Sequence, residues 1–205
     1  SRLAYILAAS HSGSTLLAML LGSHPRVCTV GELSLNAFDD RERYRCSCRA
    51  AINECSFWAE VGRQMAERGF EFAVTSAGTD FRLGASPWVQ RLLRPLHRGP
   101  MLELARDVAL SLSPGWRAAL KSEQARNAAL VESLLAVTGK SVVVDSSKIG
   151  LRLKFLLRNP NLEVKIIRLV RDGRGVALTY TDPARYADAR ESELRAGGFG
   201  GDRQG

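Results

Sequence analysis

Apolar residues fall into two kinds of run along this chain. Short continuous runs rich in β-formers stand at 5–9, 27–30, 141–145 and 164–170. Longer runs with helical spacing stand at 14–22, 57–68, 88–96, 101–112, 117–138 and 149–158, and another starts at 176. A short unbroken apolar run suits a strand covered on both faces, which is the environment of a parallel sheet. Strands alternating with helices predict a three-layer α/β domain with a mostly parallel central sheet. Breakers fall between the runs. Gly22 with His24 and Pro25 ends the first helix, Gly139 closes the long one, and Asn159, Pro160 and Asn161 separate the last helix from the last strand. The stretch 39–49 is dense in charge and reads as an irregular loop. The stretch 69–87 carries no readable period, and 182–205 reads as a weakly ordered polar tail. No repeat or linker divides the chain, so one domain over 1–205 is expected.

The total of 205 residues with 45% hydrophobic content is enough for one substantial core. The net charge of +8, from 29 basic and 21 acidic residues, suits any polyanionic partner, and only its placement separates them. It lacks the aromatic interleaving of single-strand binders, so no nucleic acid partner is expected. No apolar run approaches the ~20 residues of a membrane span.

The junction of the first strand and helix sharpens the picture. Ser10, His11, Ser12, Gly13, Ser14 and Thr15 are small or polar residues between two apolar runs. A strand turning sharply into a helix presents unpaired N–H groups and the positive end of a helix dipole at one point, which suits phosphate. A triphosphate loop needs Gly-x-x-x-x-Gly-Lys-Ser/Thr, but Ser14 stands at the lysine and Ala8 at the first glycine. An aspartate ending the strand 141–145, Asp145, could imitate a magnesium-holding carboxylate, and this keeps a small-molecule kinase as the alternative. A nucleotide- or nucleic-acid-binding module without catalysis is the other alternative. A second constellation favours a different ligand. Arg171 ends the fourth strand and Thr179 follows eight residues on, near the expected start of a helix. Guanidinium, hydroxyl and helix N-terminus together form a second anion site. Two such sites on one sheet suit a ligand with phosphates at two ends.

At these residues the chain resembles the sulfotransferases that use 3′-phosphoadenosine 5′-phosphosulfate (PAPS). The loop from Ser10 to Leu17, with His24 and Pro25 beyond it, resembles the family's 5′-phosphosulfate loop, and Arg171, Asp172, Gly173 and Arg174 through Thr179 resemble its 3′-phosphate block. Gly31-Glu32 stands where tyrosylprotein sulfotransferases and many bacterial members carry an acidic residue. Cys46-x-Cys48 followed by Cys55-x-Phe57-Trp58 matches a segment common in bacterial members. The blocks cover roughly a third of the chain, and their joint order makes them specific.

The resemblance implies a P-loop-like strand-loop-helix fold and roles for single residues. Ser10, His11, Ser12, Gly13, Ser14 and Thr15 would hold the 5′-phosphosulfate, and Arg171 and Thr179 the 3′-phosphate. Glu32 would be the general base for an acceptor hydroxyl or amine in an in-line displacement. Lys148 and His11 would assist the leaving oxygen. His11 stands where the family usually has Arg or Lys, and Thr179 where serine is usual. PAPS would be the cofactor, 3′-phosphoadenosine 5′-phosphate (PAP) the product, and no metal would be required. The acceptor would be a carbohydrate, lipid, peptide or small molecule. A cytoplasmic location is expected for a bacterial protein, and a Golgi-luminal one stays open because the chain begins at Ser1. The family also continues beyond the position of Gly205, so the expectation is either a sequence that is a piece of a longer chain or an acceptor side that is reduced, with the family's C-terminal segment lacking.

The remaining candidates have plainer readings. Trp58 and Trp116 suit core anchors, Cys28 a core thiol, His24 a packed turn and His97 solvent. The basic residues Arg152, Lys154 and Arg158 read as the solvated face of an amphipathic helix. Cys46, Cys48 and Cys55 allow a disulfide, packed thiols or zinc, and without an obvious fourth partner zinc is not assigned.

Overall fold

The four apolar runs assemble into one all-parallel sheet of strand order β2-β3-β1-β4. The strands are β1 (Arg2–Ala8), β2 (Val27–Thr29), β3 (Val142–Asp145) and β4 (Glu163–Leu169). The structure is a computed structural model that describes residues 1–34, 45–81, 86–94 and 99–181, with only the backbone of Tyr180. The tail 182–205, His97 and most of the charged stretch 39–49 lie outside the described residues.

β1 explains the layering. Its alternate residues Leu3 and Tyr5 enter one core, while Ile6 enters the other with Ala4 and Ala8 against it. Both faces are therefore covered, as an unbroken apolar strand requires. β1 begins at Arg2, earlier than expected, because Arg2 still pairs in register with Glu163 and their side chains form an exposed ion pair at 3.3 Å.

The helices are α1 (Ser14–Gly22), α2 (Ser56–Glu67), α3 (Pro87–Leu92), α4 (Pro100–Ser111), α5 (Pro114–Thr138), α6 (Gly150–Leu157) and α7 (Gly173–Thr181). The path from β1 to β2 passes over β3, and the path from β3 to β4 passes over β1 in the opposite direction. Right-handed crossovers in opposite directions place their helices on opposite faces. Accordingly α1 packs Ala18 with Ile6 and Val144, while α5 and α6 pack Leu130, Leu134 and Phe155 with Leu3 and Val143.

Trp58 and Trp116 are buried in this larger core, and Cys28 is buried in β2. Helix α5 begins at Pro114, three residues before the expected start. Ser113 accepts the Trp116 N–H at 3.2 Å and Pro114 fits the first turn; Gly139 ends the helix with φ 65°.

One expectation fails on α6. Arg152 is 5% exposed and is not part of a solvated face. Lys154 reaches Asp107 at 2.5 Å and Glu103 at 3.2 Å on α4, and Arg158 reaches Asp107 at 2.7 Å. The spacing marked an amphipathic helix correctly, but its basic residues have partners on other elements, most of them far away in sequence.

Candidate active site at the carboxyl edge of the sheet

Because the strands are parallel, their exit loops gather at one edge. The paths leaving β1 and β3 diverge there, and such a switch point is where open α/β sheets form a ligand crevice. The loop after β1, Gly31-Glu32 after β2, Ser146–Lys148 after β3 and Arg171 after β4 all stand at this edge.

The loop after β1 is shaped by two left-handed residues, His11 at φ 59° and Gly13 at φ 89°. Gly13 caps α1, and its carbonyl accepts the Leu17 N–H at 3.0 Å. Among the described residues no side chain caps this helix end, and no acidic residue lies in its first turn. Ser12 and Ser14 are buried, whereas Ser10, His11, Gly13 and Thr15 are exposed. Alternating backbone handedness aims successive amides into one concavity. The donor set is therefore hydroxyl and N–H groups at the positive end of a helix, which fits an anion.

Arg171 joins the far strand to this loop. Its Nη1 donates to the His11 carbonyl at 2.7 Å. A Cβ at Gly175 would stand 3.2 Å from the Arg171 Nε, so glycine leaves room for the guanidinium to lie across α7. Asp172 caps α7, accepting the Arg174 N–H at 2.9 Å through Oδ1 and the Val176 N–H at 3.2 Å through its carbonyl. The helix thus begins at Gly173 rather than 176. Thr179 lies in the second turn, not at the helix start, and its hydroxyl donates to the Gly175 carbonyl at 3.1 Å. Arg174 turns back onto Asp172 at 2.9 Å in an exposed pair.

On the other side of β1, Glu32 and Lys148 form an ion pair at 2.5 Å, each side chain 24% exposed. Lys148 holds φ 65° and Gly31 holds φ 89°. A lysine in the left-handed region costs about 1 kcal/mol or more and persists only where its surroundings fix it.

The fixing group is Asp145, which is fully buried. Its Oδ1 accepts the Leu33 N–H at 3.1 Å, the Ser147 N–H at 2.8 Å and the Ser147 hydroxyl at 2.5 Å. Ser147 Oγ accepts the Ser34 N–H at 3.0 Å, and the Gly31 carbonyl accepts the Ser146 N–H at 3.1 Å. The two loops carrying Glu32 and Lys148 are thereby stitched together.

Arg152 completes the support. Its Nε donates to Asp145 at 3.2 Å, Nη1 to the Thr79 carbonyl at 2.6 Å and Nη2 to Asn127 Oδ1 at 2.8 Å. Thr79 in turn donates to the carbonyls of Leu33 and Ser34. Every guanidinium nitrogen has a partner, which is what a buried charge requires.

Sequence reasoning brought Glu32, Lys148, Arg171 and the loop to one edge but missed this hub. The available signals were polar residues inside apolar helices, Asn127 before Ala128–Val131 and Arg152 between two leucines. Asp145 also loses its suggested metal role. Both its oxygens already accept protein hydrogen bonds, and a metal ion would have to displace them. Among the described residues, no helix is long and apolar enough to cross a membrane. Comparisons of the chain with protein-family models, curated proteins and solved structures find no match.

Proposed function

We propose that the protein is a sulfotransferase that uses PAPS and delivers its sulfuryl group to an acceptor hydroxyl or amine. The observation carrying this reading is the Arg171 guanidinium bonded to the carbonyl of His11. It puts a bidentate-capable cation beside the N-terminus of α1, which no described side chain caps, so two anion-binding features adjoin without a triphosphate lysine.

The donor set fits the nucleotide's two anionic ends. The backbone of His11–Gly13 and the hydroxyls of Ser10, Ser12, Ser14 and Thr15 suit the 5′ end, and Arg171 suits the 3′-phosphate. When bound, PAPS supplies an activated sulfuryl group.

The chain's own residues divide the remaining work. Glu32 Oε1 takes the proton of the acceptor as its oxygen or nitrogen becomes a nucleophile. Lys148 Nζ offers positive charge to the oxygen that gains electrons on departure, with His11 at the loop as a further donor. The Glu32–Lys148 pair holds base and cation in a common position before either acts. The Asp145 hub keeps both loops from drifting, which matters because misplacement by about 1 Å can cost about a hundredfold in rate.

The variant Glu32→Gln tests the base. Release of PAP in the presence of acceptor should fall by about a hundredfold or more, while PAP affinity changes by less than about threefold. Unchanged turnover would remove Glu32 from this role.

A further inference from the structure

The three clustered cysteines form a group apart from the loops at the strand ends. Cys46 and Cys48 sit in a tight turn. The Cys46 N–H donates to the Ala50 carbonyl at 2.9 Å, the Arg49 N–H donates to the Cys46 carbonyl at 2.8 Å, and Arg49 adopts φ 72°. Arg45 and Ala51 bridge the base of this turn. A single helical turn, Ile52–Glu54, then brings Cys55 to the N-cap of α2.

The turn folds its sulfurs back onto the helix start. Cys55 Sγ lies 3.4 Å from Cys46 Sγ and 3.5 Å from Cys48 Sγ, and all three sulfurs lie within 4.8 Å of one another. Among the described residues no other set of three cysteine, histidine or carboxylate side chains converges in this way.

From this convergence we propose that Cys46, Cys48 and Cys55 bind a zinc ion as three of its ligands. Zinc–sulfur bonds of about 2.3 Å in a tetrahedral site place sulfurs about 3.8 Å apart, close to the separations found here. A disulfide needs sulfurs about 2.05 Å apart and uses only two of the three. Cys55 is buried and Cys46 half-buried, while Cys48 is exposed.

Three thiolates around Zn²⁺ leave one net negative charge, and Arg45 and Arg49 flank the turn. Soft thiolate sets select zinc over magnesium or calcium. A bound ion would pin the segment 45–55 to α2, and this site does not depend on the sulfotransferase reading.

The test uses the full chain purified with reductant and without chelator. It should retain about one zinc per chain after dialysis, and cobalt(II) in its place should give a thiolate charge-transfer band. Zinc should raise the melting temperature by at least about 4 °C. Because Cys48 is exposed, Cys48→Ser should keep the far-UV circular dichroism of the parent while losing zinc affinity by more than about a hundredfold. Absence of retained zinc, a disulfide among these three cysteines in the isolated protein, or unchanged affinity in folded Cys48→Ser would each overturn the proposal.

Discussion

Arg171 illustrates how one side chain can have two tasks. It donates to the His11 carbonyl and so shapes the loop after β1, yet it also sits where the 3′-phosphate block of the resemblance lies. The tasks separate experimentally. Removing a charge-assisted hydrogen bond costs about 1.5–3 kcal/mol, roughly tenfold to a hundredfold in affinity. Arg171→Ala should therefore weaken PAP binding by that factor in a competition titration, while adenosine 5′-phosphosulfate, which lacks the 3′-phosphate, should bind nearly as before. Equal losses for both would reduce Arg171 to a loop residue. Its place was legible because an arginine following an apolar strand must stand at that strand's exit. The environment of Thr179 was not, since the start of α7 depends on Asp172 capping four residues ahead of the apolar run.

At the scale of elements, α6 carries two interactions of different strength. Its inner contact, Arg152 with the fully buried Asp145, joins β3, α5 and the loops after β2 and β3. Replacing one partner leaves the other charge buried and uncompensated, which costs about 3–5 kcal/mol. Arg152→Met should lower the urea midpoint accordingly; a loss below about 1 kcal/mol would show that the hub is not a support.

The outer contact is Asp107 on α4 with Lys154 and Arg158. Burial raises the Asp107 carboxyl, but the two cations outweigh it and hold the group below the usual range. Stability gained from the carboxylate is present above its unfolded pKa near about 4 and fades as pH falls through the lower folded value. Asp107→Asn should lose about 1 kcal/mol at pH 7, with the difference from the parent disappearing on acid titration. A difference independent of pH would assign the loss to packing. The apolar period located α6, but only the fold reveals that Asp107 and Asp145 face its basic residues.

For the whole molecule, the hydropathy pattern carried the layers and the parallel sheet because a strand buried on both faces has no polar alternation to offer. Strand order was not legible, since pairing β1 with both β3 and β4 depends on contacts well over a hundred residues apart. That order puts Glu32 and Lys148 together on one side of the loop after β1 and Arg171 on the other. The central claim is that this edge receives a nucleotide with phosphates at its 3′ and 5′ positions rather than a metal-bound triphosphate. Calorimetric titration of the full chain tests it most directly. PAP should bind without added metal at micromolar or lower Kd, about −8 kcal/mol or better, and ATP with magnesium should bind at least about a hundredfold more weakly. Tight binding of ATP with magnesium and none of PAP would contradict the claim.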